Sequence, residues 1–127
     1  MLGAQLSLDR PLGIGPLQFS RFFGEDPHNS YLNAFMSGGW LSGFAYLTLT
    51  ATTLVSAARF LRADTPWRST YQVMYAAYLG VAVESAIIDI DHWRHYFLIL
   101  GALWGMMVAS RPYLTAPVAP LSVPRPA

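Results

Sequence analysis

The sequence predicts an all-α membrane protein with three transmembrane helices, an outer-face N-terminal loop segment and a disordered, Pro-rich C-terminal tail. Composition is the first observation behind this. Apolar residues make up 54% of the 127 residues and charged residues 12%, about half the roughly 25% usual for soluble chains. Charge placement is the second. Leu32 to Ala58 is 27 residues without a charge, Tyr71 to Ile88 carries only Glu84, and Tyr96 to Ser110 carries none. Size is the third: a soluble domain of 14.0 kDa has too little interior to hide three such runs, whereas a bilayer solvates them. Polar ends hold the mean hydropathy down to +0.34.

Residues 1–29 read as a loop. Pro11, Gly13, Gly15 and Pro16 are turn chemistry, with Gly free to take positive φ and Pro fixed near −65°. Gly24-Glu25-Asp26-Pro27 is a second turn, its acids suited to the start of a following helix. That helix begins near Asn29 or Ser30, both good caps, and runs to about Leu61. Some 30 helical residues would cover about 45–50 Å, more than the ~30 Å hydrocarbon core. So the helix projects from the bilayer or breaks, and Gly38-Gly39 is the expected break. The spans are then about 41–60, 71–90 and 92–110. Arg59 to Arg68 connects the first two, and Asp89 to His95 forms a polar hinge between the second and third. Arg111-Pro112 closes the third. Residues 111–127, with prolines at 117, 120, 124 and 126, form the tail.

The counts also exclude classes. A net charge of +1 without a basic cluster is wrong for nucleic-acid binding. Absence of Cys removes disulfides, zinc-thiolate sites and thiol nucleophiles. Met1 to Gln18 lacks a basic segment followed by an apolar one, so no signal peptide is expected there. A polar, turn-rich start followed by spans is expected of the C-terminal part of a larger protein. The Arg distribution places the 59–68 connection and the C-terminus in the cytoplasm. Residues 1–29 and the hinge then share the outer face, together with His28, His92 and His95.

His28 is the first candidate for chemistry. An imidazole at a loop-to-helix junction on the membrane edge can take a proton from a hydroxyl near neutral pH, donate to a phosphate, or simply anchor the loop. The hinge is the second. Asp91, His92 and His95 can share a helical face, which allows a metal trio or, equally, a capped helix start with Arg94 at the surface. Glu84 within the second span must face protein or water, because a charge at mid-bilayer costs about 2.5–3.5 kcal/mol. Trp40, Trp67 and Trp93 read as interface anchors and Trp104 as packing. Gly39-x-x-x-Gly43 and Gly101-x-x-x-Gly105 permit close helix approach.

Pro27-His28-Asn29-Ser30-Tyr31-Leu32, followed by Gly39, resembles the signature of the bacterial O-antigen ligases and related surface-polysaccharide polymerases. The family pattern is His, then Asn, Ser or Gln, nine residues, Gly, two residues, and Gly, Thr or Tyr. His28, Asn29 and Gly39 fit, with Ser30 to Gly38 as the nine; Ser42 departs, with Gly43 following. The run from Pro11 to Phe19 resembles the glycine-containing segment before the His. Ile88 to Phe97, with Gly101, Trp104 and Gly105, resembles the C-terminal spans. Together these cover about residues 11–110.

The resemblance implies a bacterial inner-membrane glycosyltransferase. Such an enzyme moves a glycan from undecaprenyl pyrophosphate to a lipid A core or glycan acceptor at the periplasmic face, with no metal or other cofactor in the ligases. It implies that His28 assists the acceptor hydroxyl. Arg21 is a candidate for the pyrophosphate by position and chemistry, since guanidinium grips phosphate through paired hydrogen bonds. Asn29, Arg94 and His95 complete the candidate substrate-binding set. Three helices alone are a poor wall for two large lipid-linked substrates, so missing N-terminal helices or a helical membrane partner are expected. The competing expectations are a non-catalytic remnant or a small membrane protein that docks on a partner, and a metal-binding protein using the hinge.

Overall fold

The computed structural model describes residues 2–16, 18–24, 28–88 and 94–115. They are all-helical, with no strand among them: α1 (Leu2–Asp9), α2 (Phe19–Phe23), α3 (Ser30–Ala58), α4 (Arg68–Glu84) and α5 (Arg94–Thr115). Two of these, α3 and α5, are long and apolar enough to cross a membrane. At 17 residues, α4 covers about 25 Å.

α3 is two arms rather than one rod. Gly39 lies inside it at φ 73° and ψ −170°, a conformation open in practice to glycine alone. The chain doubles back there. Tyr31 and Tyr46 would be about 22 Å apart on a straight helix, yet their ring centroids are 5.4 Å apart. Phe35 and Phe44 likewise meet edge to face at 5.2 Å. Gly43 allows this, because a Cβ there would strike the Phe35 ring. The small pair Gly39/Gly43 therefore closes a hairpin within the chain, where the sequence pointed to contact between spans.

A sharp bend strips a helix of backbone partners, and the N-terminal segment replaces them. Ile14 N–H donates to the Met36 carbonyl (2.8 Å), Gly15 N–H to the Ser37 carbonyl (3.0 Å), and Trp40 N–H to the Pro11 carbonyl (2.9 Å). Gly13 (φ 80°) and Gly15 (φ 93°) let this strap turn against the bend. Residues 1–29 are accordingly not all loop. Residues 2–9 contain no proline and form α1, which packs on α3. Gly3 sits against Leu32 and Met36, and Trp40 Nε1 donates to the Ser7 carbonyl at 2.8 Å. α1 ends just before Pro11, and α2 ends at Gly24 in the left-handed conformation (φ 75°).

The second arm of α3 packs with α4 and α5. Their shared core is Ala57, Tyr71, Tyr78, Tyr96, Leu103 and Met107. Much of the glue is hydroxyl chemistry. Tyr96 OH bonds Thr50 Oγ1 (2.8 Å) and Tyr78 OH (3.1 Å). Tyr71 OH donates to the Ala57 carbonyl at 2.7 Å. Trp104 Nε1 donates to Thr53 Oγ1, and Trp67 Nε1 to Ser110 Oγ, each at 3.0 Å. The outward faces are apolar: Val55, Val73, Leu98 and Val108 are 56–72% exposed. Polar groups at helix contacts and aliphatic groups outside are what a bilayer selects. Tyr96→Phe removes two interhelical hydrogen bonds and should lower stability by about 1–2 kcal/mol, read as the unfolding midpoint in detergent.

Two helix ends in particular depart from the sequence expectation. α4 stops at Glu84, short of residue 90, because its last carbonyls are taken by turn and side-chain donors described below. Glu84 is therefore a half-buried helix-end residue and not a mid-span charge. α5 runs through Pro112 to Thr115; a proline so near the end costs only the bond to the Val108 carbonyl. Glu25, Asp26, the hinge residues Asp89, Asp91, His92 and Trp93, and the tail from residue 116 lie outside the described residues.

Candidate functional site

The candidate site is built where the start of α3 meets the end of α4. Asn29 caps α3 from an extended backbone (φ −162°), its Oδ1 accepting the Leu32 N–H at 2.9 Å. Its Nδ2 donates to the Ala86 carbonyl at 2.8 Å. Ser30 N–H donates to the Ser85 carbonyl at 2.8 Å, and Ser30 Oγ to the Ile88 carbonyl at 3.2 Å. Tyr31 OH donates to the Ala82 carbonyl at 2.7 Å. Three consecutive residues thus satisfy carbonyls that the end of α4 leaves unpaired. The sequence Asn-Ser-Tyr is a clasp, and Asn29 is committed at both ends of its amide.

His28 stands immediately before this clasp and is exposed. Its backbone is fixed on the C-terminal side by the Asn29 cap. Arg94 and His95 open α5, both exposed. They share the end of the bundle with His28, because Tyr31, Tyr46 and Tyr96 form a continuous ring stack between the starts of α3 and α5, with centroid separations of 5.4 and 5.5 Å. Arg21 lies in the last turn of α2 and is exposed. No group of three or more His, Cys, Asp and Glu side chains suited to a metal occurs among the described residues.

The tyrosine stack was not singled out from sequence as a unit. Tyr31 and Tyr46 lie on opposite sides of Gly39 in the sequence. The signal for it is their spacing about Gly39: once the chain doubles back, Tyr31 and Tyr46 face each other. Tyr46 OH is buried with no hydrogen-bond partner among the described residues, a polar atom at the head of the core beneath the clasp. α1 and both arms of α3 line an open apolar pocket of about 340 Å³, with Leu8, Leu32, Phe35 and Phe44 among its walls.

Chemically, this end of the molecule offers an exposed imidazole at the capped start of α3 and, at the start of α5, a guanidinium with a second imidazole. That set can accept a proton and hold an anion. Comparison with protein-family models, with curated proteins and with solved structures finds no match.

Proposed function

We propose that this chain is a membrane-embedded part of an O-antigen ligase-like glycosyltransferase. His28 takes the proton of the acceptor hydroxyl as its oxygen attacks the anomeric carbon of the donor. The bond from that carbon to the pyrophosphate breaks, and undecaprenyl pyrophosphate leaves with the bonding pair. Arg21 and Arg94 hold the pyrophosphate, with His95 beside them. The second arm of α3, α4 and α5 cross the inner membrane, with His28 at the periplasmic face and the C-terminus in the cytoplasm.

The observation that carries this reading is the placement of His28. It is exposed, while its neighbours Asn29, Ser30 and Tyr31 are spent on holding the helix start in place. A base must be positioned and accessible at once, and this arrangement supplies both. The test is transfer itself. Membranes carrying the protein with its complement of further helices, given polyprenyl-pyrophosphate-linked glycan and an acceptor, should yield glycosylated acceptor and free polyprenyl pyrophosphate in equal amounts. Failure to form product contradicts the proposal.

A second reading rests on a different observation. Gly80, Gly101 and Gly105 have open space where a Cβ would stand. Small residues facing outward in a membrane let another helix approach closely. On this reading the chain is a small membrane protein docked on a helical partner, which predicts co-purification with that partner and no transfer.

A further inference from the structure

The open apolar groove of about 340 Å³ between α1 and the two arms of α3 has no charged residue in its wall. Around α1, Gly3 and Ser7 are buried against α3, Ala4 and Leu8 line the groove, and Gln5 and Asp9 form the next row, both exposed. The polar groups of the wall are already spent. Ser7 Oγ donates to the Gly3 carbonyl at 2.9 Å, and the Ser7 carbonyl accepts from Trp40 Nε1 at 2.8 Å. A sugar, a phosphate or a peptide backbone seated there would lose water and gain no bond from either residue, which is costly. The groove therefore suits hydrocarbon. Phe44 lines it and also stands in the exposed row Leu41, Phe44, Thr48, Ala51 and Val55 of the second arm of α3. The groove is thus continuous with a side that a membrane-crossing α3 turns to lipid. That arm, from Trp40 to Ala58, covers about 28 Å, close to the ~30 Å hydrocarbon core. Trp40 then stands at the edge of the core, where indoles are favoured. A boundary between oil and water runs along α1 at the same level, between the Ala4–Leu8 row and the Gln5–Asp9 row, as in a helix that lies in the interface.

We infer that the groove takes an acyl chain of the bilayer leaflet at the Gly39 end, with α1 lying along the headgroup boundary. The inference rests on the membrane reading of α3 and is independent of glycosyl transfer.

The chain has no Cys, so a nitroxide can be placed at single sites by Gln5→Cys, Leu8→Cys and Ala51→Cys, each in the full chain reconstituted in phosphatidylcholine vesicles. Collisions of the nitroxide with oxygen, which concentrates in hydrocarbon, are compared with collisions with a nickel chelate, which stays in water. Ala51 is exposed midway along the second arm and reports the membrane reading itself. Oxygen collisions should exceed nickel collisions at positions 51 and 8, and the ratio should invert at position 5. Nickel excess at position 8 with oxygen excess at position 51 overturns the inference and leaves the membrane reading standing. Nickel excess at position 51 overturns both. Loss of both kinds of collision at position 8 means that protein covers the groove, either a second copy or a helical partner, and overturns the lipid assignment. Oxygen excess at position 5 overturns the boundary placement of α1. The wild-type chain gives an independent reading that needs no substitution. Phosphatidylcholine with a photoactivatable group high on its acyl chain should label Leu8, Phe35 or Phe44, and labelling confined to α4 and α5 overturns the assignment.

Discussion

On the proposed glycosyl-transfer reading, replacing His28 with Ala should lower transfer by roughly 10²- to 10⁴-fold, the usual worth of a positioned general base. Protein level and unfolding midpoint should not move, because the side chain is exposed and exposed substitutions away from special features stay within about 0.5 kcal/mol. Asn29→Ala should behave in the opposite way. It removes the α3 cap and the bond to the Ala86 carbonyl, so it should cost about 1–2 kcal/mol of stability and reduce transfer only through the loosened helix start. His28→Gln separates two roles for the imidazole. Gln keeps hydrogen bonding but accepts no proton at neutral pH, so activity as low as that of the Ala variant identifies a base. Activity near wild type identifies an anchoring contact and contradicts the assignment.

Gly39→Val should be the most damaging single change to the fold. The native φ of 73° with ψ of −170° costs about 1–3 kcal/mol for any residue with a side chain. A Cβ at this position would also collide with the Pro11 carbonyl oxygen and lie 2.6 Å from the Leu12 carbonyl carbon. Both atoms are backbone, so relief requires the strap to move away. The expected total loss is about 3–5 kcal/mol, visible as a lower unfolding midpoint. The consequence is structural as well as energetic: without the strap the arms of α3 tend to straighten. The chain has no Cys, so a pair introduced at positions 31 and 46 gives a clean report. A short crosslinker should join them in the native background and fail to join them with Gly39→Val. Crosslinking unchanged by Gly39→Val would show that the hairpin does not depend on this glycine.

Where helices start and break was legible locally, and where the chain goes afterwards was not. The Asn-Ser pair marks the start of α3, and Gly38-Gly39 marks its interruption. Gly13 and Gly15 stand in the left-handed conformations that their turn sequence favours. A glycine pair tells where a helix is free to break, but its direction is set by partners. Here those partners are Pro11, Ile14 and Gly15, more than twenty residues upstream, and a Cβ on Gly13 would meet Gly39 N at 2.5 Å. That mutual approach has no signature in hydropathy. The end of α4 is a similar case. Residues 85–88 are apolar enough to extend the helix, yet the Ser85, Ala86 and Ile88 carbonyls are bonded by Asn29 and Ser30. α1 was missed because glycine and proline further along were weighed against the whole N-terminal segment, while residues 2–9 themselves carry no proline.

The same difference holds at the candidate site. His28 was visible through its neighbours, and its exposure beside the clasp gives those neighbours a task. The dual engagement of Asn29 was not visible, because the Ala86 carbonyl is 57 residues away. The Tyr31–Tyr46–Tyr96 stack was hidden for the same reason: it exists only after α3 doubles back and α5 returns to its head.

The most direct test of a chain that crosses the membrane with its His-bearing end outside is labelling of single cysteines from the two faces. Cys is introduced at position 28 in one protein and at position 62 in another, each in intact cells and in opened membranes, with a membrane-impermeant maleimide. The account predicts that position 28 labels in intact cells and that position 62 labels only after the membrane is opened. Labelling of both positions from one face, or of position 62 alone in intact cells, would contradict it.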